Sequence, residues 1–187
     1  MKFFATVALA SLTLGLTVEG LTPGSLSGAH AGDTKHREAK AHAHGHGKVN
    51  IAIEGRQLFV EMEVPGADIV GFEHQAKTNA EKAAVAAAKK AMRSANDILE
   101  LPVAAGCKLA KATVELHSED GQGDHREFHA AYTFECASMW NLGRIGFRYF
   151  SAFKGEQELD VAMISATGAK RFEATRQRPV VKLGGLR

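Results

Sequence analysis

Lys48-Val49-Asn50-Ile51-Ala52-Ile53-Glu54-Gly55-Arg56-Gln57-Leu58-Phe59-Val60-Glu61-Met62-Glu63-Val64-Pro65 is the stretch that decides the fold. Val49, Ile51 and Ile53 alternate with Asn50, Ala52 and Glu54, and Leu58, Val60, Met62 and Val64 alternate again after the turn. A period of two puts each apolar set on one side of a strand. Two such runs joined through Glu54-Gly55-Arg56 predict a β-hairpin with one buried face. Pro65 has no amide proton to give a ladder, so it ends the second strand.

Downstream, Thr78 and Glu81 have the T-x-x-E spacing of a capping box. Val85, Ala88, Met92, Ala95 and Leu99 then recur at three- and four-residue spacing, with Lys82, Lys89, Lys90 and Arg93 supplying the polar side. This predicts one long amphipathic helix, with Pro102 marking its limit. Two further strands follow, one over about 108–117 and one carrying Phe128, Ala130, Tyr132, Phe134 and Cys136 in strict alternation. The polar linker HSEDGQGDH (117–125) makes them a long hairpin. Residues 139–153 read as a short helix or a loop that packs Trp140, Phe147 and Tyr149 over the core. Leu159, Val161 and Met163, and then Val180, Val181 and Leu183, mark the last strands. Hairpin-linked strands with one inserted helix argue for an α+β domain built on mainly antiparallel sheet, spanning 48–187.

Upstream the chain changes character. Lys2 precedes the apolar run Phe3–Val18, and Ala29-His30-Ala31 follows a Gly/Ser/Pro-containing segment. A basic start, an apolar middle and an A-x-A end are the parts of a secretory signal peptide, 1–31, with cleavage expected after Ala31. The run falls short of the roughly 20 apolar residues that a membrane span needs. Residues 32–47, GDTKHREAKAHAHGHG, lack apolar periodicity and read as a flexible His-rich arm. The expected mature protein is periplasmic, with no stable membrane association. Of its two cysteines, an even count in an oxidising compartment favours a Cys107–Cys136 disulfide.

The composition excludes several classes. The chain has 187 residues, 45% hydrophobic and 24% charged, which is neither disordered nor fibrous. Its formal net charge is +2, too small a field for a nucleic-acid partner. The nine histidines are the unusual count. His42-Ala43-His44-Gly45-His46 presents imidazoles at i, i+2 and i+4, which share one side of an extended segment. Neutral imidazole is the commonest protein ligand of transition metals, Zn²⁺ above all. A second group, His117, His125 and His129, stands among Asp124, Glu127 and other acids around the long hairpin. In a strand, His125, Glu127 and His129 would share the face opposite Phe128 and Ala130. His74, beside Asp68 and Glu73, is eligible to join the arm. The candidate metal residues are therefore His42, His44, His46, His74, His125 and His129, with His117, Asp124 and Glu127 weaker.

Signatures of catalysis are missing: there is no H-E-x-x-H, no G-x-S-x-G and no phosphate-cradling glycine loop. A mobile His arm suits capture and release better than transition-state stabilisation. The reading is a binding protein, not an enzyme.

AHAHGHGKVNIAIEG (41–55), VPGADIVGFEH (64–74), AAGC (104–107) and HREFHAAYTFEC (125–136) together resemble the ZrgA-type family of periplasmic zinc-uptake proteins, over about 41–183. The resemblance implies a protein that holds Zn²⁺ when zinc is scarce and passes it to a component of an ABC importer. It gives His44, His74, His125 and His129 the family's candidate metal role. Relatives often carry a long His/Asp/Glu-rich insert in the hairpin, where this chain has only HSEDGQGDH, so the resemblance shifts weight onto the arm. Two alternatives stand beside it. Imidazole suits copper, nickel and cobalt as well as zinc, so a periplasmic chaperone for one of those is one. A structural or interaction module with incidental histidines is the other.

Overall fold

The computed structural model describes residues 45–118, 125–155 and 158–184. The expected signal peptide and most of the expected arm lie outside these residues. Strand β1 (His46–Glu54) and β2 (Gln57–Pro65) form the hairpin, turning at Gly55 and Arg56. The strand begins at His46, two residues before Lys48, so His46 and Gly47 belong to the sheet rather than to the arm. Helix α1 (Gly66–Val70) follows at once, then α2 (Asn79–Arg93), α3 (Ala95–Ile98) and β3 (Leu99–Glu100). The long hairpin is β4 (Cys107–Ser118) and β5 (Arg126–Cys136). The chain finishes with β6 (Arg144–Phe147), α4 (Tyr149–Ala152), β7 (Glu158–Ser165), β8 (Gly168–Thr175) and β9 (Val180–Lys182).

The α+β architecture is as read from the sequence, with sheet predominating. Six strands make one sheet in the order β4-β5-β2-β1-β7-β8, and three make another, β3-β6-β9. All neighbours are antiparallel except β1 and β7, which run parallel from His46↔Glu158 to Ala52↔Ile164. Continuous apolar rows cross the large sheet on one side. Val114, Ala130, Met62, Val49, Val161 and Phe172 form one row in register, and Ala112, Tyr132, Val60, Ile51 and Met163 form the next. Met92, Ile98, Leu142, Ile145, Tyr149, Val181 and Leu183 complete the buried cluster from the helices and the small sheet. The Tyr132 hydroxyl donates to the Met92 carbonyl at 2.6 Å, joining β5 to the end of α2, and burial pushes its phenol pKa well above the ordinary range. The opposite face of the large sheet is exposed or half-buried, closing only at Pro65 and Glu127, where α1 packs on β2 and β5.

Two expectations need correction. The single long helix is instead the 15-residue α2 and a one-turn α3. The capping box is present: Thr78 Oγ1 accepts from the Glu81 amide, and Glu81 accepts from the Thr78 amide. The apolar spacing does continue to Leu99, and Ala95 and Leu99 are buried. The helix nevertheless breaks at Ser94, because Ser94, Asn96 and Asp97 are residues whose side chains compete for backbone hydrogen bonds. Trp140 is the other correction. It stands 74% exposed on a 3-10 turn (Met139–Asn141), while Phe147 and Tyr149 are buried as expected.

Cys107 and Cys136 face each other in register and are joined as a disulfide at the start of β4 and the end of β5. The bond closes a sequence separation of 29 residues. Replacing both cysteines by Ala should lower the unfolding free energy by about 3–4 kcal/mol in the loop-entropy account, with the midpoint of a urea titration under oxidising conditions as the measure.

Candidate metal-binding site

β1 starts, β2 ends, β4 ends, β5 starts and β7 starts at one end of the large sheet. The strand directions alone therefore gather the flanking sequences of five strands. His46 opens β1, His117 lies near the end of β4, and His125 and His129 bracket the start of β5. His74 lies in the segment that α1 leads into from Pro65. All five described histidines sit at this end.

Backbone approach explains why residues 71–74 reach that end. Gly66 lies against the carbonyls of Arg126 and Phe72, and a Cβ there would come within 2.8 Å of both. That contact pins the α1 segment to β5 and brings Glu73 beside His125. Gly155 likewise packs on the backbone of Asp68 with no room for a Cβ. The loop carrying Gly155 is held from the other side by Arg176, whose guanidinium donates to the Phe150 and Phe153 carbonyls and lies over the Phe150 ring. Asp68, so held, accepts the Gly45 amide at 2.8 Å. The chain is thus fastened one residue after His44.

Each described imidazole has a carboxylate beside it. His125 Nδ1 is 2.5 Å from Glu73 Oε2, and His117 Nε2 is 3.2 Å from Glu115 Oε2. His129 Nε2 is 3.5 Å from Glu127 Oε2, His46 Nδ1 3.8 Å from Glu158 Oε1, and His74 Nε2 3.8 Å from Glu81 Oε1. The His74 ring stacks on Phe72 at 4.9 Å, and the His117 and His129 rings lie 4.7 Å apart. Glu81 has two tasks. One oxygen caps α2 through the Thr78 and Lys77 amides, and the other faces His74. The Thr78 and Lys77 amides hold its carboxyl below the usual range, His74 adds to this, and desolvation opposes it.

The sequence-derived candidates fall into separate groups here. His125 precedes β5 instead of sharing its outward face, and it turns to Glu73. His129 and Glu127 do share that face, and His117 joins them from β4. His74 Nδ1 lies 3.0 Å from the Gln75 carbonyl while its Nε2 faces Glu81, and His46 faces Glu158 on the neighbouring strand. His42, His44 and Asp124 lie outside the described residues. Among the described residues no three histidine, cysteine or acidic side chains already converge as a metal-holding group. Sequence reading missed Glu81, Glu115 and Glu158 as imidazole partners. The i, i+2 spacing of Glu115 and His117 was the available signal, while the other two needed the fold.

A family model for the ZrgA family of zinc uptake proteins matches residues 41–183. The chain belongs to that family. The matched region includes seven of the nine histidines, from His42 to His129, and every described strand. No curated protein matches the chain. The ZrgA family's association with zinc uptake accords with a sheet end where imidazoles and carboxylates meet. Among the described residues no helix is long and apolar enough to cross a membrane.

The capping role of Glu81 has a pH consequence. A carboxyl with a lowered folded pKa contributes stability above its unfolded pKa and loses it as pH falls through the folded value. The Glu81 carboxyl should therefore titrate below the usual glutamate range. The Lys77 and Thr78 amide resonances should move with that same midpoint in an NMR titration.

Proposed function

We propose that this protein is a periplasmic zinc-binding protein that assists zinc uptake. Histidines of the N-terminal segment, His42, His44 and His46, act with those of the long hairpin to hold the ion. The observation that carries the reading is the gathering of all described histidines, each beside a carboxylate, at the end of the sheet where β1 begins at His46. Zinc is the cargo here, and it is held for transfer rather than used for chemistry. The signal peptide at 1–31 and the disulfide both fit an exported protein, and the natural recipient is a component of a zinc ABC importer.

The donor chemistry supports capture with release. Imidazole nitrogen and carboxylate oxygen are borderline ligands that suit Zn²⁺. Neighbouring carboxylates orient an imidazole and raise its basicity toward a metal. Most of these side chains are half-exposed, which allows an ion to enter and leave. The same donors would take copper, nickel or cobalt, and the family's zinc-uptake role favours zinc among them.

Protons compete for imidazole below about pH 6.5, so zinc affinity should fall as the pH drops through that value. Calorimetric titration of the mature chain with Zn²⁺ at about pH 7.5 and 5.5 measures this. Equal affinity at both would count against histidine ligation. Element analysis of the His42→Ala, His44→Ala, His46→Ala triple variant should show reduced zinc content, and unchanged content would remove the N-terminal segment from the proposal.

A further inference from the structure

β4 ends the large sheet, and among the described residues no strand pairs with its outer side. Which backbone groups face that side follows from the ladder. The Cys136 amide donates to the Arg56 carbonyl, just before β2, at 2.9 Å. From there the β2–β5 register runs unbroken to Pro65↔Glu127. Bonded and non-bonded pairs alternate along antiparallel strands. The even-numbered residues of β5 therefore turn their N–H and C=O to β2, and Ala131 and His129 turn theirs to β4. There they meet Thr113 and Glu115. Ala112, Val114 and Leu116 are left with their N–H and C=O directed away from β5, to the open side.

A side chain from α2 already reaches one of these groups. Arg93 Nη2 donates to the Val114 carbonyl at 3.4 Å, longer than an ordinary hydrogen bond. Lys82, Lys89 and Arg93 recur at helical spacing on one side of α2. The Arg93 contact turns that side toward the β4 edge. On the outward face of the sheet, Lys111 stands exposed. Glu115, the acid of this stretch, is turned to His117 at 3.2 Å. The edge is thus flanked by cations above and below, in a chain whose formal net charge is only +2.

We infer that the outer edge of β4 is a docking site for an extended, acidic segment of a partner protein, which adds to the six-stranded sheet as a further strand. The inference concerns backbone groups along the side of the sheet and does not rest on the zinc reading.

In strand addition the backbone bonds supply the hold and the side chains supply the choice. Ala112, Val114 and Leu116 offer N–H and C=O groups at a repeat of about 6.6–6.8 Å, which alternate residues of an extended segment match. The segment's side chains point above and below the sheet by turns. Acids below meet Arg93 and Lys89, and acids above meet Lys111. An incoming amide takes over the Val114 carbonyl, and Arg93 exchanges a long bond to a neutral acceptor for a charge-assisted one to a carboxylate. A basic segment is repelled by the same cations, and so is the β4 edge of a second copy. Lysines guard edge strands against indiscriminate pairing, and a guard of one sign still admits a strand of the other.

The test titrates the isotope-labelled full chain with a short peptide of alternating Glu and Thr, and follows amide hydrogen exchange residue by residue. The peptide should slow exchange at Ala112, Val114 and Leu116 and leave Thr113 and Glu115, already bonded to β5, unchanged. Adsorption to a basic surface does not produce that alternation. Arg93→Gln and Lys111→Gln should each weaken binding about two- to fivefold. Ala112→Pro removes an outward N–H without touching the β5 ladder and should weaken it as well. No binding at about 1 mM peptide overturns the inference. Equal binding of a Lys–Thr peptide, or slowing that does not alternate, also overturns it. Protection of the same amides by self-association of the chain alone would assign the edge to a second copy instead. If Ala112→Pro does not fold, the two charge variants decide, and binding that ignores both sinks the acidic partner.

Discussion

The register of β1, β2 and β5 is the constraint on which the rest of the molecule depends. Side chains alternate along a strand, so a slip of one residue would exchange the two faces completely. In the register observed, Ile51, Val60 and Tyr132 share a buried row, while Glu63 and His129 share an outward one. A slipped β5 would push His129 and Glu127 into the apolar core and bring Phe128 and Tyr132 to water. The hydrophobic effect thus specifies where the imidazoles stand. Tyr132 reinforces this by hydrogen-bonding α2 from the buried side.

From that register follows a division between the two ends of the large sheet. At one end the ribbon is closed covalently by Cys107 and Cys136. At the other, the flanking segments of five strands come together, and polar side chains accumulate beside the α1 segment. The α1 segment draws Glu73 and His74 into this gathering, through close backbone contacts at Gly66 and Gly155. Asp68 fastens the chain at Gly45, at the same end. The large sheet is thus covalently closed at one end and polar at the other.

Much of this could be read in the residues. The β1–β2 hairpin, the Thr78–Glu81 cap, the alternation in β5 and the disulfide pairing all follow from local pattern or count. What escaped reading did so for physical reasons. β4 carries a register shift between Leu109 and Lys111, so its apolar positions do not keep one parity and its alternation is scrambled. β8, with Lys170, Arg171 and Glu173, is an edge strand with little to bury, and edge strands carry charges that mask their pattern. The division of the histidines into separate groups depends on Gly66 meeting Arg126, a contact between distant residues that spacing does not encode. Seven of the nine histidines were recognisable as one theme in the sequence, but the pairing of His74 with Glu81 and of His46 with Glu158 was set by topology.

One feature of the sheet bears on how the chain is made. β1, the first of the described strands, lies in the interior of the sheet, and its parallel neighbour β7 follows only after five others. Pairing between such remote segments is slow, because a large loop must close before any contact rewards it. Until β7 is delivered, one edge of β1 stands without its partner, with His46 at its tip. The nascent polypeptide therefore offers an imidazole-bearing, half-finished ladder to its surroundings for longer than a protein of local contacts would.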